Sequence, residues 1–226
     1  MVKIALIDNS IDHDFYNPVI HWKPYIKEKL IIFHAIKGEF PNLNENYTHI
    51  ILSGSEYTIL EKPRWILKEI DFIKKTISKG IPLLGSCFGH QLIAVAISGS
   101  KVVRRCKNPE IGWIEVKIHH KNDIFKGIKN KIFTFSSHFD EVFNLPPQFN
   151  ILASSSACFI QAYQYQNKPI WGIQFHPEIN IEQGKELLNK GKIYNKEYAY
   201  IFQNALNSTP KDSQITQTII DNFINY

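Results

Sequence analysis

The segment Leu83-Leu84-Gly85-Ser86-Cys87-Phe88-Gly89-His90-Gln91 constrains this 226-residue chain more than any other. An apolar run enters Gly-x-Cys-x-Gly, and a helix-forming stretch follows. This is the pattern of a sharp strand-to-helix turn that carries a nucleophile at its tip, with Cys in place of Ser. Glycines two positions to either side of the tip let the backbone turn without Cβ clashes. The tip side chain then projects from the C-terminal edge of a parallel sheet, where open α/β folds bind ligands. Helix N-termini favour thiolates, and the Phe88 N–H is placed to donate to an oxyanion. Cys106 follows Arg104-Arg105 and Cys158 follows Ser154-Ser155-Ser156. Neither sits at such a turn, and both read as packed thiols.

The rest of the chain supplies the sheet that the turn requires. Residues 3–7, 30–33, 49–52 and 81–84 are short apolar runs that read as buried parallel strands. Between the last two, Ile66, Ile70, Ile73 and Ile77 fall on one face of a helix over 65–78, with Gly80 as its stop. A helix over 88–97 follows the cysteine. After Ser98-Gly99-Ser100 the pattern changes to strand-like runs at 101–103, 113–118, 132–134, 151–153, 159–165 and 169–174. Residues 181–206 are helical in composition with an interruption near Gly191, and 214–224 form a last short helix. Strands alternating with helices predict an α/β fold: a central, mostly parallel sheet with flanking helices and a mixed or antiparallel extension. One domain over 1–195, with a helical extension over 196–226 packed on it, is the expected organisation.

Composition narrows the partners. Lys plus Arg total 26 and Asp plus Glu 21, a mild excess of +5 spread along the chain. That reads as a solvated surface, and no aromatic-basic interleaving points to nucleic acid. No apolar run approaches the ~20 residues of a membrane span, and the first apolar stretch is too short for a signal peptide. A cytoplasmic location is expected. Three cysteines without metal-type spacing argue against a disulfide framework or a structural zinc site.

A cysteine nucleophile needs a base, and the base needs an orienting group. Of nine histidines, His176 stands apart. It ends the strand-like run Ile170-Trp171-Gly172-Ile173-Gln174-Phe175, so it is expected near the sheet edge to which Cys87 points. Glu178 lies two residues on. An extended backbone through Pro177 would put both side chains on one side, where the carboxylate can hold the imidazole tautomer.

With these residues in place, the sequence resembles the class I (triad) glutamine amidotransferase family, whose fold is flavodoxin-like. The resemblance rests on Gly85-Ser86-Cys87-Phe88-Gly89-His90-Gln91 and Gly172-Ile173-Gln174-Phe175-His176-Pro177-Glu178. Ile50-Ile51-Leu52-Ser53-Gly54-Ser55 is similar to the family's oxyanion strand and loop. Ser136-Ser137-His138-Phe139-Asp140 is similar to its Ser-His-x-Asp segment. The four come in the family's order and span roughly residues 1–190. The resemblance implies hydrolysis of the glutamine amide through a γ-glutamyl thioester, with ammonia released. Cys87 would attack, His176 would serve as acid and then base, and Glu178 would orient it. The N–H groups of Gly54 and Phe88 would hold the oxyanion. Gln91, with the backbone near His138 and Phe139, would hold the ends of glutamine. No cofactor and no metal are implied.

The chain departs from many ammonia-channelling members, which carry Gly-Gly-Pro where Ser53-Gly54-Ser55 stands here. Stand-alone relatives use the same triad as γ-glutamyl peptidases, and Glu56 and Tyr57 could shape a pocket for larger leaving groups. Pro109-Glu110-Ile111-Gly112-Trp113 is similar to the stand-alone, GMP-synthase-like branch. No Gly-x-x-x-x-Gly-Lys-Ser/Thr motif is present, so an ammonia-consuming step would reside in a synthetase partner. A binding protein that keeps the fold without catalysis is the third reading. The presence of all three triad residue types at matching motif positions stands against it.

Overall fold

The computed structural model describes residues 2–120 and 123–226. Its strands are β1 (Lys3–Asp8), β2 (Lys29–His34), β3 (His49–Leu52), β4 (Leu83–Ser86), β5 (Val103–Ile118), β6 (Lys131–Val142), β7 (Phe149–Ser154), β8 (Ala162–Tyr165) and β9 (Ile170–Ile173). Among the described residues they form one nine-stranded sheet of order β2-β1-β3-β4-β9-β8-β7-β5-β6. The first five positions pair in parallel. The other pairings, from β9–β8 to β5–β6, are antiparallel. The expected parallel core with an antiparallel extension is therefore the fold.

The helices are α1 (Pro18–Trp22), α2 (Arg64–Ser78), α3 (Phe88–Ser98), α4 (Ile181–Tyr194), α5 (Ala199–Asn207) and α6 (Thr216–Ile224). The strand pleat decides which of them each side chain meets. Ala5, Ile7, Ile50 and Leu52 pack towards Ile66 and Ile73 of α2 and Leu92 of α3. Ile4, Leu6 and Ile51 face the other way, towards Trp22 of α1 and Ile219, Ile220 and Phe223 of α6. A smaller core joins Leu187 and Leu188 of α4 and Phe202 of α5 to Phe135 of β6 and to Tyr16.

Several local expectations change. The strand expected from residue 101 begins only at Val103, because Ser100–Val102 is a 3-10 turn after Gly99, whose φ is 80°. Two expected strands merge into the long β5. A register shift between Arg105 and Glu110 absorbs Pro109, which cannot donate to the ladder. The helical stretch after 181 breaks at Asn195–Tyr198 rather than near Gly191. Gly191 stays inside α4, where the Phe202 ring lies over it and leaves no room for a Cβ. Helix α1 has no counterpart among the expected elements, although Asn17 caps it and Pro18 opens it.

Helix α2 carries one charged residue on its buried face. Glu69 follows Ile66 by three positions and is 0% exposed. Burial pushes its carboxyl up to about 8, with the Asn9 amide pulling the other way. A raised folded-state value means that the neutral acid is the form the fold accepts. The stability tied to it is complete below the unfolded carboxylate value and is lost as pH rises through about 8. Denaturant unfolding should therefore show wild type weakening between pH 5 and 9, whereas Glu69→Gln stays level. By pH 9 the difference should be on the order of a few kcal/mol.

Candidate active site

Strand β4 delivers Cys87 to the sheet's C-terminal edge in a conformation few L residues adopt, with φ 49° and ψ −102°. The flanking glycines are needed for close approach rather than for their own dihedrals. A Cβ on Gly85 would lie 2.5 Å from the backbone of Gly89, and one on Gly89 would lie 2.5 Å from Leu52 O. Backbone bonds lock the turn: Cys87 N donates to Ile173 O at 2.8 Å, and Gly89 N donates to Ser53 O at 3.1 Å. The cysteine thus sits at the N-terminus of α3, wedged between β3 and β9.

His176 arrives from beyond β9. That strand ends three residues earlier, at Ile173, and His176 makes a single bridge to Phe135, donating its N–H to Phe135 O at 2.8 Å. The backbone through Pro177 and Glu178 is not extended. It turns, with Ile179 N bonded to His176 O, and this turn folds the Glu178 carboxylate back onto the ring. Glu178 Oε1 lies 2.7 Å from His176 Nδ1, which leaves Nε2 as the nitrogen for Cys87. Burial drives the imidazole towards neutrality, but Glu178 and Cys87 outweigh it and raise its pKa to about 10. The site therefore favours an imidazolium held against the Glu178 carboxylate, with the Cys87 sulfur on its other side.

Two further residues belong to this arrangement, and neither is among those expected from the sequence. Tyr16 donates its hydroxyl to the same Glu178 oxygen at 3.1 Å, and its ring meets His176 edge-on. Burial, and then the Glu178 charge, hold its phenol well above its ordinary value, so it remains a donor. A lone tyrosine in a loop carries no sequence signal for this role. Gln174 donates Nε2 to Cys87 Sγ at 3.5 Å, and its place two residues before His176 was the available signal.

The other candidates surround a cavity of about 370 Å³ lined by Cys87, Phe88, Gln91, His138, Phe139 and His176, among others. Gly54 lies against the Cys87–His176 pair: a Cβ there would come within 2.7 Å of His176 Cε1 and 3.6 Å of Cys87 Cβ. Among the described residues the N–H groups of Gly54 and Phe88 carry no hydrogen bond. Gln91 donates to Asp140 O at 2.9 Å and to Gln174 Oε1 at 3.2 Å. The His138 ring is occupied elsewhere, with Nε2 3.1 Å from Glu110 and Nδ1 3.1 Å from Asp140 O. His90 is fully buried, and burial lowers it to about 3. Glu56 and Tyr57 both line the cavity, and the N–H groups of Ile11 and Asp12 and the Ser10 hydroxyl take up one Glu56 oxygen, Oε1.

A family model for class-I glutamine amidotransferases matches residues 9–194. The chain belongs to that family. It is 41% identical over 180 residues to the glutamine-hydrolyzing GMP synthase subunit of Methanothermobacter thermautotrophicus, covering 80% of this chain and 90% of that protein. The corresponding protein of Pyrococcus furiosus is 44% identical over 109 residues, which is 48% of this chain. The chain spans 57% of that relative's length, little more than half. A glutamine amidotransferase from Thermotoga maritima shares the amidotransferase fold at a TM-score of 0.81. The match covers 100% of this chain and 99% of that one at 23% identity.

The three cysteines of this amidotransferase should separate under alkylation. Burial, reinforced by Glu141, Asp140 and Glu110, raises the Cys106 thiol, and burial with Glu110 and Glu141 raises Cys158. Cys87 alone lines the cavity beside an imidazolium. Native protein treated with iodoacetamide at pH 7.5 should take one label, on Cys87 by peptide mapping. Cys106→Ser and Cys158→Ser should leave that pattern unchanged. Labelling of Cys106 or Cys158 at a comparable rate would contradict this picture of the site.

Proposed function

We propose that the chain hydrolyses the amide of glutamine through a thioester on Cys87 and hands the ammonia to a separate synthetase protein. The observation that carries this reading is the meeting of Cys87 and His176 at one cavity, with the buried Glu178 carboxylate on the imidazole's Nδ1. The names of the relatives support it, since they are the glutamine-hydrolysing subunits of GMP synthase.

In this reading the Cys87 sulfur attacks the amide carbon, and the carbonyl electrons move onto oxygen. The Gly54 and Phe88 N–H groups receive that charge. The tetrahedral intermediate collapses as imidazolium His176 gives its Nε2 proton to the departing nitrogen, and ammonia leaves. Neutral His176 then takes a proton from water, whose oxygen attacks the thioester carbon. The C–S bond breaks, and glutamate and the Cys87 thiolate are released beside the regenerated imidazolium. Glu178 stabilises that imidazolium throughout, and Tyr16 holds Glu178 in place. Both amide hydrogens of Gln91 are committed to Asp140 O and Gln174, so its Oε1 is the group to accept the α-amino end of glutamine. The backbone at His138 and Phe139 faces the other end.

The test compares purified protein on glutamine and on γ-glutamyl dipeptides. Glutamate and ammonia should appear in equal amounts from glutamine, and adding the synthetase should increase the rate. Preferred turnover of γ-glutamyl dipeptides, unaffected by a synthetase, would make the chain a stand-alone γ-glutamyl peptidase. The pH profile examines His176 separately. As the required acid, with its pKa raised to about 10, it should keep kcat level through neutral pH and lose it as pH passes that value. Glu178→Gln removes one of the raising charges, so the alkaline limb should move to lower pH. A limb that does not move would separate Glu178 from His176.

A further inference from the structure

Strands β1 and β2 end side by side, with Asp8 and His34 as register partners. The loop after β1 brings His13 back over the same edge. His13 Nε2 lies 2.7 Å and His34 Nδ1 3.2 Å from one oxygen, Asp8 Oδ2. We propose that Asp8, His13 and His34 form a binding site for a divalent transition-metal ion of the zinc type, distinct from the Cys87 cavity and independent of the amide-hydrolysis reading.

The donor set has the right chemistry. Two imidazoles and one carboxylate suit zinc and its neighbours, whereas calcium and magnesium prefer oxygen donors. The carboxylate is already built for the role. Asp8 is fully buried, and its other oxygen accepts the Ser10 N–H at 3.0 Å. That bond aims Oδ2 at the two rings, as outer-shell bonds aim metal-binding carboxylates. Buried in this way, the anion has only two imidazole groups in place of water at that oxygen, and a divalent ion would balance its charge directly.

The geometry needs little adjustment. The donor atoms lie within 4.8 Å of one another. Ligands about 2.1 Å from a tetrahedral ion sit roughly 3.4 Å apart, so His13 must withdraw by roughly 0.7 Å. Its side chain is 43% exposed on a loop and has room to do so. Each imidazole must present a lone pair at the nitrogen that faces Asp8. Its proton shifts to the other ring nitrogen, or leaves to solvent if the ring is charged.

The ion has a way in. A surface cavity of about 300 Å³ opens onto the two rings, and Asp12 and Asp14 on its wall attract cations while Lys37 opposes them. A second set of possible donors, Glu110, His138 and Cys158, is buried at all three residues. There the Glu110 carboxylate is already held by Ser155, Gln161 and His138. The proposed site would also fasten the loop that reaches the other centre, because Ser10, two residues after Asp8, bonds the backbone oxygen of Tyr16 at 2.7 Å.

Metal-stripped protein carrying Cys87→Ser, which removes a competing sulfur ligand, is titrated with zinc by calorimetry and with cobalt(II) by visible absorption. One ion should bind per chain, and the cobalt spectrum should show d–d bands without a thiolate charge-transfer band. His13→Ala with His34→Ala should weaken binding at least a hundredfold at unchanged circular dichroism. If that double variant does not fold, His13→Gln alone should weaken binding at least tenfold. The proposal is overturned by absence of saturable binding, by binding that survives these substitutions, or by a thiolate band that assigns the metal to Cys106 or Cys158.

Discussion

The backbone of Cys87 is the constraint on which the rest of the structure depends. A non-glycine residue at φ 49° and ψ −102° costs on the order of 1–3 kcal/mol and persists only where its surroundings leave no alternative. Here they leave none. The turn is bonded to Ile173 on one side and to Ser53 on the other. It is pressed so closely that neither Gly85 nor Gly89 has space for a methyl group. The energy of a large apolar core, built on both faces of the sheet, holds this one residue in place. The same packing sets β3 and β9 beside β4, and so decides which loops converge on the sulfur.

Those loops make an electrostatic unit from segments far apart in the chain. Tyr16, Glu178 and His176 form a chain of short contacts leading to Cys87. Each member depends on the next. The carboxylate would be costly to bury without its two donors. The imidazole would be neutral at this depth without the carboxylate and the cysteine. His138 and Glu110 form a similar buried pair only a short distance away, but that ring is turned to Asp140 O and Cys106 and not to Cys87. Proximity to the cavity therefore does not decide which histidine can act; the partner on each ring nitrogen does.

The elements best read from the sequence were those with local rules. Gly85 and Gly89 around Cys87, the spacing of Ile66, Ile70, Ile73 and Ile77, and the short apolar strands all express contacts within a few residues or a repeated pleat. The readings that changed depended on distant partners. Gly191 looked like a helix stop because its reason for being glycine, the Phe202 ring, lies on another helix. Glu178 was expected to reach His176 along an extended backbone, but the turn at Pro177 brings it there. Tyr16 was invisible because its partner is 162 positions away. The same holds for His13 and His34, which meet only because β1 and β2 end in register on Asp8.

In the proposed chemistry everything turns on Cys87 carrying the acyl group during turnover. Protein mixed with glutamine, quenched in acid within the first turnover and digested, can be read directly by mass spectrometry. A Cys87 peptide heavier by one γ-glutamyl group should appear as ammonia is released and vanish on treatment with hydroxylamine. Ammonia release without that adduct, or an adduct on Cys106 or Cys158 instead, would contradict the assignment of Cys87 as nucleophile.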